Sequence, residues 1–107
     1  MPWIDELTAA ISGQRVISLR YLRNHNAAGP RTVQPHALFQ TSTGEIRLDA
    51  VQVAGDTSRD AIFPAWRAFD LTLIADLELL DDDFDRDPTF NPDNPRKYHR
   101  LVVHCGG

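Results

Sequence analysis

The chain has 107 residues and only one cysteine, Cys105, so no internal disulfide can form. That fits a reducing, cytoplasmic setting. No apolar run approaches the roughly 20 residues needed to cross a bilayer, and no membrane partner is expected. The opening MPWIDEL has neither a basic n-region nor an apolar h-region and does not read as a signal peptide. There is no glycine-rich phosphate loop and no G-x-S-x-G. His99, His104 and Cys105 match no zinc spacing, and a second cysteine is missing. His104 and Cys105 are neighbours on a strand-like segment and would point to opposite faces, which argues against a Cys–His nucleophile pair. The carboxylates of DDDFDRD read as a solvated run. These absences argue against an enzyme, a metal site and a cofactor.

What is present suits one domain with a modest core: 42% of residues are hydrophobic. The net charge of −4 is unevenly spread. Residues 12–69 carry seven arginines and four acids; residues 70–95 carry nine acids and one arginine; residues 96–107 add Arg96, Lys97 and Arg100. A nucleic-acid-binding domain is usually basic throughout, so only a local basic site is expected here. The run Asp81-Asp82-Asp83 would compete with a ligand for it.

Patterning gives the elements. IDELTAAIS (4–12) predicts a helix: Ile4, Leu7 and Ile11 share a face, Asp5 and Glu6 suit the N-terminal dipole, and Gly13 is a stop. RVISLRYLR (15–23) alternates as a strand, and 24–30 is a loop by composition. RTVQPHALFQT (31–41) predicts a second strand, with Pro35 at an edge or a bend. After the turn STG, EIRLDAVQVA (45–54) predicts a third. Its apolar parity switches near Ala50, which requires a bulge there or cover on both faces. A loop (55–60) and a fourth strand (61–71) bent at Pro64 follow, and 72–80 reads as strand rather than helix. The Pro- and Asp-rich stretch 81–97 predicts a surface excursion that gives the core only Phe84 and Phe90. YHRLVVHC (98–105) predicts a last strand that must find a sheet edge, either its own or that of a second copy. The expected fold is mainly β: a small SH3-like or Sm-like barrel with one N-terminal helix over 1–84, then an extended C-terminal tail over 85–107.

Several of these elements, in this order, resemble a known family. They are Ala10-Ile11 in the helix; the strand reaching Tyr21; Arg31-Thr-Val-Gln-Pro35 followed by Leu38; the hairpin Gly44-Glu-Ile-Arg-Leu48-Asp-Ala50; and Arg67-Ala-Phe69-Asp-Leu71 leading to Ile74. The chain resembles the WYL domain, a small barrel found mainly in bacterial transcription regulators. The tripeptide that names the family falls on Ile46-Arg47-Leu48, so only its leucine is kept, and a later family arginine falls on Leu73. No winged helix-turn-helix precedes the domain, so a complete DNA-binding repressor is not expected.

The resemblance implies a ligand-sensing domain. Basic and polar residues on one barrel face would hold a nucleotide or single-stranded nucleic acid. Tyr21, Arg31 and Arg67 match that pattern, Arg47 stands in for a tyrosine, and His36 follows Pro35 close by. Arginine forks suit phosphate oxygens, and Tyr21 would stack a base. The parity of GEIRLDA sets Arg47 opposite Ile46 and Leu48 and, on this reading, towards Arg31 and Arg67. Trp66 would take the face opposite Arg67, Trp66 facing in if Arg67 faces out. The alternative is a protein-interaction module in which the barrel and its tail dock to a partner or form a homodimer.

Overall fold

In a computed structural model, residues 3–23, 26–27, 29–55 and 62–106 are described. The expected loop at 56–60, the start of the fourth strand at 61 and parts of 24–30 lie outside them. Helix α1 spans Ile4–Ser12 and ends at Gly13, and it buries Leu7, Ala10 and Ile11. Seven strands follow among the described residues: β1 (Arg15–Arg23), β2 (Asn26–Ala27), β3 (Arg31–Gln40), β4 (Ile46–Gly55), β5 (Ala65–Asp70), β6 (Ile74–Asp83) and β7 (Arg100–His104). The main path runs β2-β1-β3-β4-β5, with β6 paired to β1 and β7 to β3. The fold is mainly β with one N-terminal helix, as the sequence predicts. The barrel, however, is not closed. β5 and β6 are joined only by the 3-10 turn Leu71–Leu73, yet β5 pairs with β4 and β6 with β1. A seam is left between β5 and the β6 side of β1.

Strand β3 organises the sheet. One edge pairs with β4 along its length; the other pairs first with β1 (31–33) and then with β7 (37–40). Pro35 sits at a register shift in β3, before Ala37, where a residue that cannot donate is tolerated. β7 therefore pairs with this chain's own sheet, and the adjoining Cys105 N–H donates to the His36 carbonyl at 2.9 Å.

The parity switch in β4 has its answer in burial. The β4–β5 register runs unbroken from Arg47↔Asp70 to Gln52↔Ala65. Leu48, Asp49, Ala50, Val51 and Gln52 are all buried, so this stretch is covered on both faces. The inner face packs Leu48 and Ala50 with Ile17, Leu19, Val33, Leu38 and Phe69 under helix α1. The outer face of β3–β5 is covered by 84–98, which contains no helix or strand yet buries Phe84, Phe90 and Tyr98. Tyr98 thus joins the two phenylalanines that the sequence reserved for the core. Each such ring contributes about 1.5–3 kcal/mol by leaving water.

β6 runs through Asp81-Asp82-Asp83, which the sequence assigns to the excursion. At a sheet edge a strand needs only its backbone, and the acids remain in water. Arg15, paired with Asp83 in register, donates from Nε and Nη2 to the Leu80 carbonyl and lies 3.9 Å from Asp81. Gln14 and Phe84 close this end: Phe84 N–H donates to the Gln14 carbonyl and Gln14 Nε2 to the Phe84 carbonyl, each at 2.9 Å. Among the described residues no helix is long and apolar enough to cross a membrane.

Candidate functional site

The seam is filled by side chains. Tyr21, from β1, meets Phe69, from β5, edge-on with ring centroids 5.0 Å apart. Its hydroxyl accepts the Asp70 backbone N–H at 3.0 Å. Where two strands fail to form a ladder, one tyrosine supplies the acceptor. Arg31, only 4% exposed, extends its guanidinium over both rings, 5.6 Å from the Tyr21 centroid and 5.9 Å from that of Phe69. Such cation–π contacts gain strength as water is excluded.

Arg67 lies on the same side. It faces Ala50 across β4–β5 just as Phe69 faces Leu48, so Arg67 and Phe69 share a face, one pleat apart. Its guanidinium has no hydrogen-bond or ion-pair partner among the described residues. Tyr21 and Arg31 thus meet at Phe69, and Arg67 shares the face of that ring on β5. Trp66 has the opposite parity, as expected, but the sense is reversed: Arg67 takes the inner-face parity, and Trp66 takes the outer face, where 84–98 covers it.

Arg47 does not join Arg67. Leu48 is buried and Ile46 partly so, and Arg47 does alternate away from them. That sends it to the face of Asp49 and Val51, opposite to Arg67. There it pairs with Glu45 at 2.7 Å. That hydrogen bond, with the nearby Asp70 and Tyr21, holds its pKa above the ordinary arginine value. The sequence sets the parity of Arg47 but not which face Arg67 takes.

His36 is elsewhere again. It has 0% exposure and packs against Trp66, Phe84 and Phe90 at centroid distances of 5.0–5.3 Å. Nε2 accepts the Asp87 N–H at 2.9 Å, so Nδ1 carries the proton and donates to the Gln34 carbonyl at 2.8 Å. Both nitrogens are engaged within the fold. Burial, the largest influence, lowers the imidazole pKa, against the Gln34 carbonyl, Asp87 and Asp49, which raise it. His36 ties the outer face to 84–98 and has no atom left for a ligand.

No sequence pattern points to the polar pair that completes this layer. Asp49, 2% exposed, accepts from the Tyr98 hydroxyl at 2.5 Å and pairs with Lys97 Nζ at 2.9 Å. Lys97 also lies 4.5 Å over the Trp66 ring, while Trp66 Nε1 donates to Thr89 Oγ1 at 3.0 Å. Burial and the Asp49 carboxylate push the Tyr98 phenol up, and burial does the same to the Cys105 thiol.

Comparison with curated proteins and with solved structures gives no match. The family model described as the WYL domain matches residues 2–79. This span contains the helix, the seam with Tyr21, Arg31, Arg67 and Phe69, and most of β6, and stops short of the outer layer. The chain belongs to the WYL domain family, whose members are ligand-sensing regulatory domains.

Proposed function

We propose that this domain is a cytoplasmic sensing module of bacterial transcription regulation, a binder rather than an enzyme, whose ligand is a nucleotide or a single-stranded nucleic acid held at the seam. One observation carries the reading. Arg67 is a cation without a described counter-ion, one pleat from the Phe69 ring on which Arg31 stacks. Arg67 meets a phosphate; the partly buried Tyr21 ring offers a base its open edge; Arg31, nearly dry, adds positive potential from beneath. His36 lies outside this seam, and Arg47, engaged by Glu45, borders it at Asp70 and Tyr21.

The test is an anisotropy titration of labelled nucleotides and short single strands at two salt concentrations. Binding that weakens steeply with salt and is lost in Arg67→Glu supports the reading. Binding untouched by Arg67→Glu removes it. The rival reading, a protein-interaction module, draws on Val102, 50% exposed on β7. It predicts self-association or partner binding that is indifferent to salt and sensitive to Val102→Asp.

A further inference from the structure

Residues 84–98 cross the outer face of the sheet as a strap tied at both ends. At one end Phe84 and Gln14 exchange two hydrogen bonds. At the other, Asp49 holds Tyr98 and Lys97, and β7 follows in its ladder with β3. The middle is held differently. Asp87 N–H donates to His36 Nε2 at 2.9 Å. The Asp87 carboxylate accepts from Thr89 N–H at 2.8 Å and from Thr89 Oγ1 at 2.5 Å, and Thr89 Oγ1 in turn accepts from Trp66 Nε1 at 3.0 Å. These bonds form one chain from β3 through the strap to β5, and its first link is the His36 ring. A backbone N–H only donates, so Nε2 must present a lone pair, while Nδ1 donates to the Gln34 carbonyl. The site therefore fits one form of histidine, the neutral ring with its proton on Nδ1. A second proton would set Nε2–H against Asp87 N–H, donor against donor, on a ring with 0% exposure.

We infer that residues 85–90 are a proton-operated lid: they stay down over a neutral His36 and lift from Trp66 when that ring takes a second proton, while both ends of the strap and the sheet hold. The groups facing the ring are Asp87 and Arg86 from the strap, Asp49 from β4 and, through its backbone N–H on the His36 carbonyl, Cys105 after β7. Both carboxylates are already engaged, Asp87 by Thr89 and Asp49 by Tyr98 and Lys97, and Arg86 opposes an imidazolium. Burial, the largest influence, lowers the His36 pKa in the closed form. The open form then binds the proton more readily. Closure is strongest above the ordinary 6.5 and weakens as pH falls from there towards the closed value. The lid lies beyond residue 79, where the family match ends, and does not depend on what binds at the seam.

The test is amide hydrogen exchange on the full chain, followed residue by residue by NMR from pH 8 to 5, corrected for intrinsic rates and repeated in low urea. Asp87 should exchange about tenfold or more faster than Leu7, in α1, and Phe84, at the tied end, with a rate that low urea leaves unchanged. Below 6.5 that rate should rise by about tenfold per pH unit until the closed pKa is passed. In His36→Gln, whose side chain offers an acceptor that does not titrate, it should stay level. The nitrogen shifts of wild-type His36 should show the Nδ1–H tautomer at pH 8. An Asp87 amide that ignores pH, or that exchanges with the rate and urea dependence of Leu7, overturns the lid, because it then opens only with the whole domain. Phe84 rising with Asp87 overturns it in favour of a strap that peels from its end. An Nε2–H tautomer, or an equal rise in His36→Gln, removes His36 as the trigger and overturns it as well. Where His36→Gln does not fold, the wild-type rates of Asp87, Phe84 and Leu7 decide the matter alone.

Discussion

The two faces of β3 and of the middle of β4 are both covered, but they are held by different means. The inner face is a set of aliphatic side chains under α1, with Phe69 at its margin. Its cohesion is non-directional and proportional to area. The outer face is aromatic and is pinned by a few directional links: His36 to Asp87, Asp49 to Tyr98 and Lys97, Trp66 to Thr89. An inner layer of this kind loses stability smoothly as volume is removed. An outer layer of this kind loses it stepwise, link by link, and responds to protons.

The largest effect should come from the inner face. Phe69→Ala removes a ring that touches Tyr21 and underlies Arg31, and should cost about 3–5 kcal/mol in urea unfolding. A cost under 1 kcal/mol would mean that the seam does not bear on the core. Next comes Asp49→Ala, which strips the Tyr98 hydroxyl of its acceptor and Lys97 of its anion. Because Lys97 is part-exposed and can return to water, the cost should be smaller, about 1–3 kcal/mol. Double-mutant cycles with Tyr98→Phe would divide it between the two partners.

The third test is pH. His36 has a folded pKa below its ordinary 6.5 because burial disfavours the imidazolium, and the groups facing it are Asp87, Asp49 and Arg86. The unfolded chain then binds the proton more readily. The contribution of His36 is complete above the unfolded pKa and is lost as pH falls through 6.5 towards the folded value. Unfolding followed between pH 7.5 and 5 should show wild type losing more stability than His36→Gln. Equal losses would sever the link between the outer layer and protonation. The smallest effect belongs to Val102→Thr, half-exposed on β7, which should stay within about 0.5 kcal/mol by the same measurement.

Local pattern carried the inner layer. Helix α1 was legible from its apolar spacing, its acidic first turn and Gly13; β1, β3 and β4 from their alternation. Of the outer layer only the burial of Phe84 and Phe90 was legible, and the reason is physical. Phe84, Phe90 and Tyr98 lie six and eight residues apart in a Pro- and Asp-rich stretch, too sparsely for any continuous helix or strand pattern, and their burial depends on which face of a distant sheet they reach. His36 is positioned by Asp87, 51 residues later, and no local window contains both. Of the candidate site, the types and parities of Tyr21, Arg31, Arg47 and Arg67 were legible. What failed was the assumption that outward parity on β4 and on β5 means the same side. A strand covered on both faces has no outward side to read.

The two tryptophans divide along the same line. Trp3 donates its indole N–H to the Ile74 carbonyl at 3.0 Å and reports on the helix and β6. Trp66, under Lys97 and bonded to Thr89, reports on the outer cover. Each layer thus carries its own emitter. In single-tryptophan variants, Trp3→Phe or Trp66→Phe, the remaining fluorescence would follow one layer alone and show directly whether the tail peels away before the sheet melts.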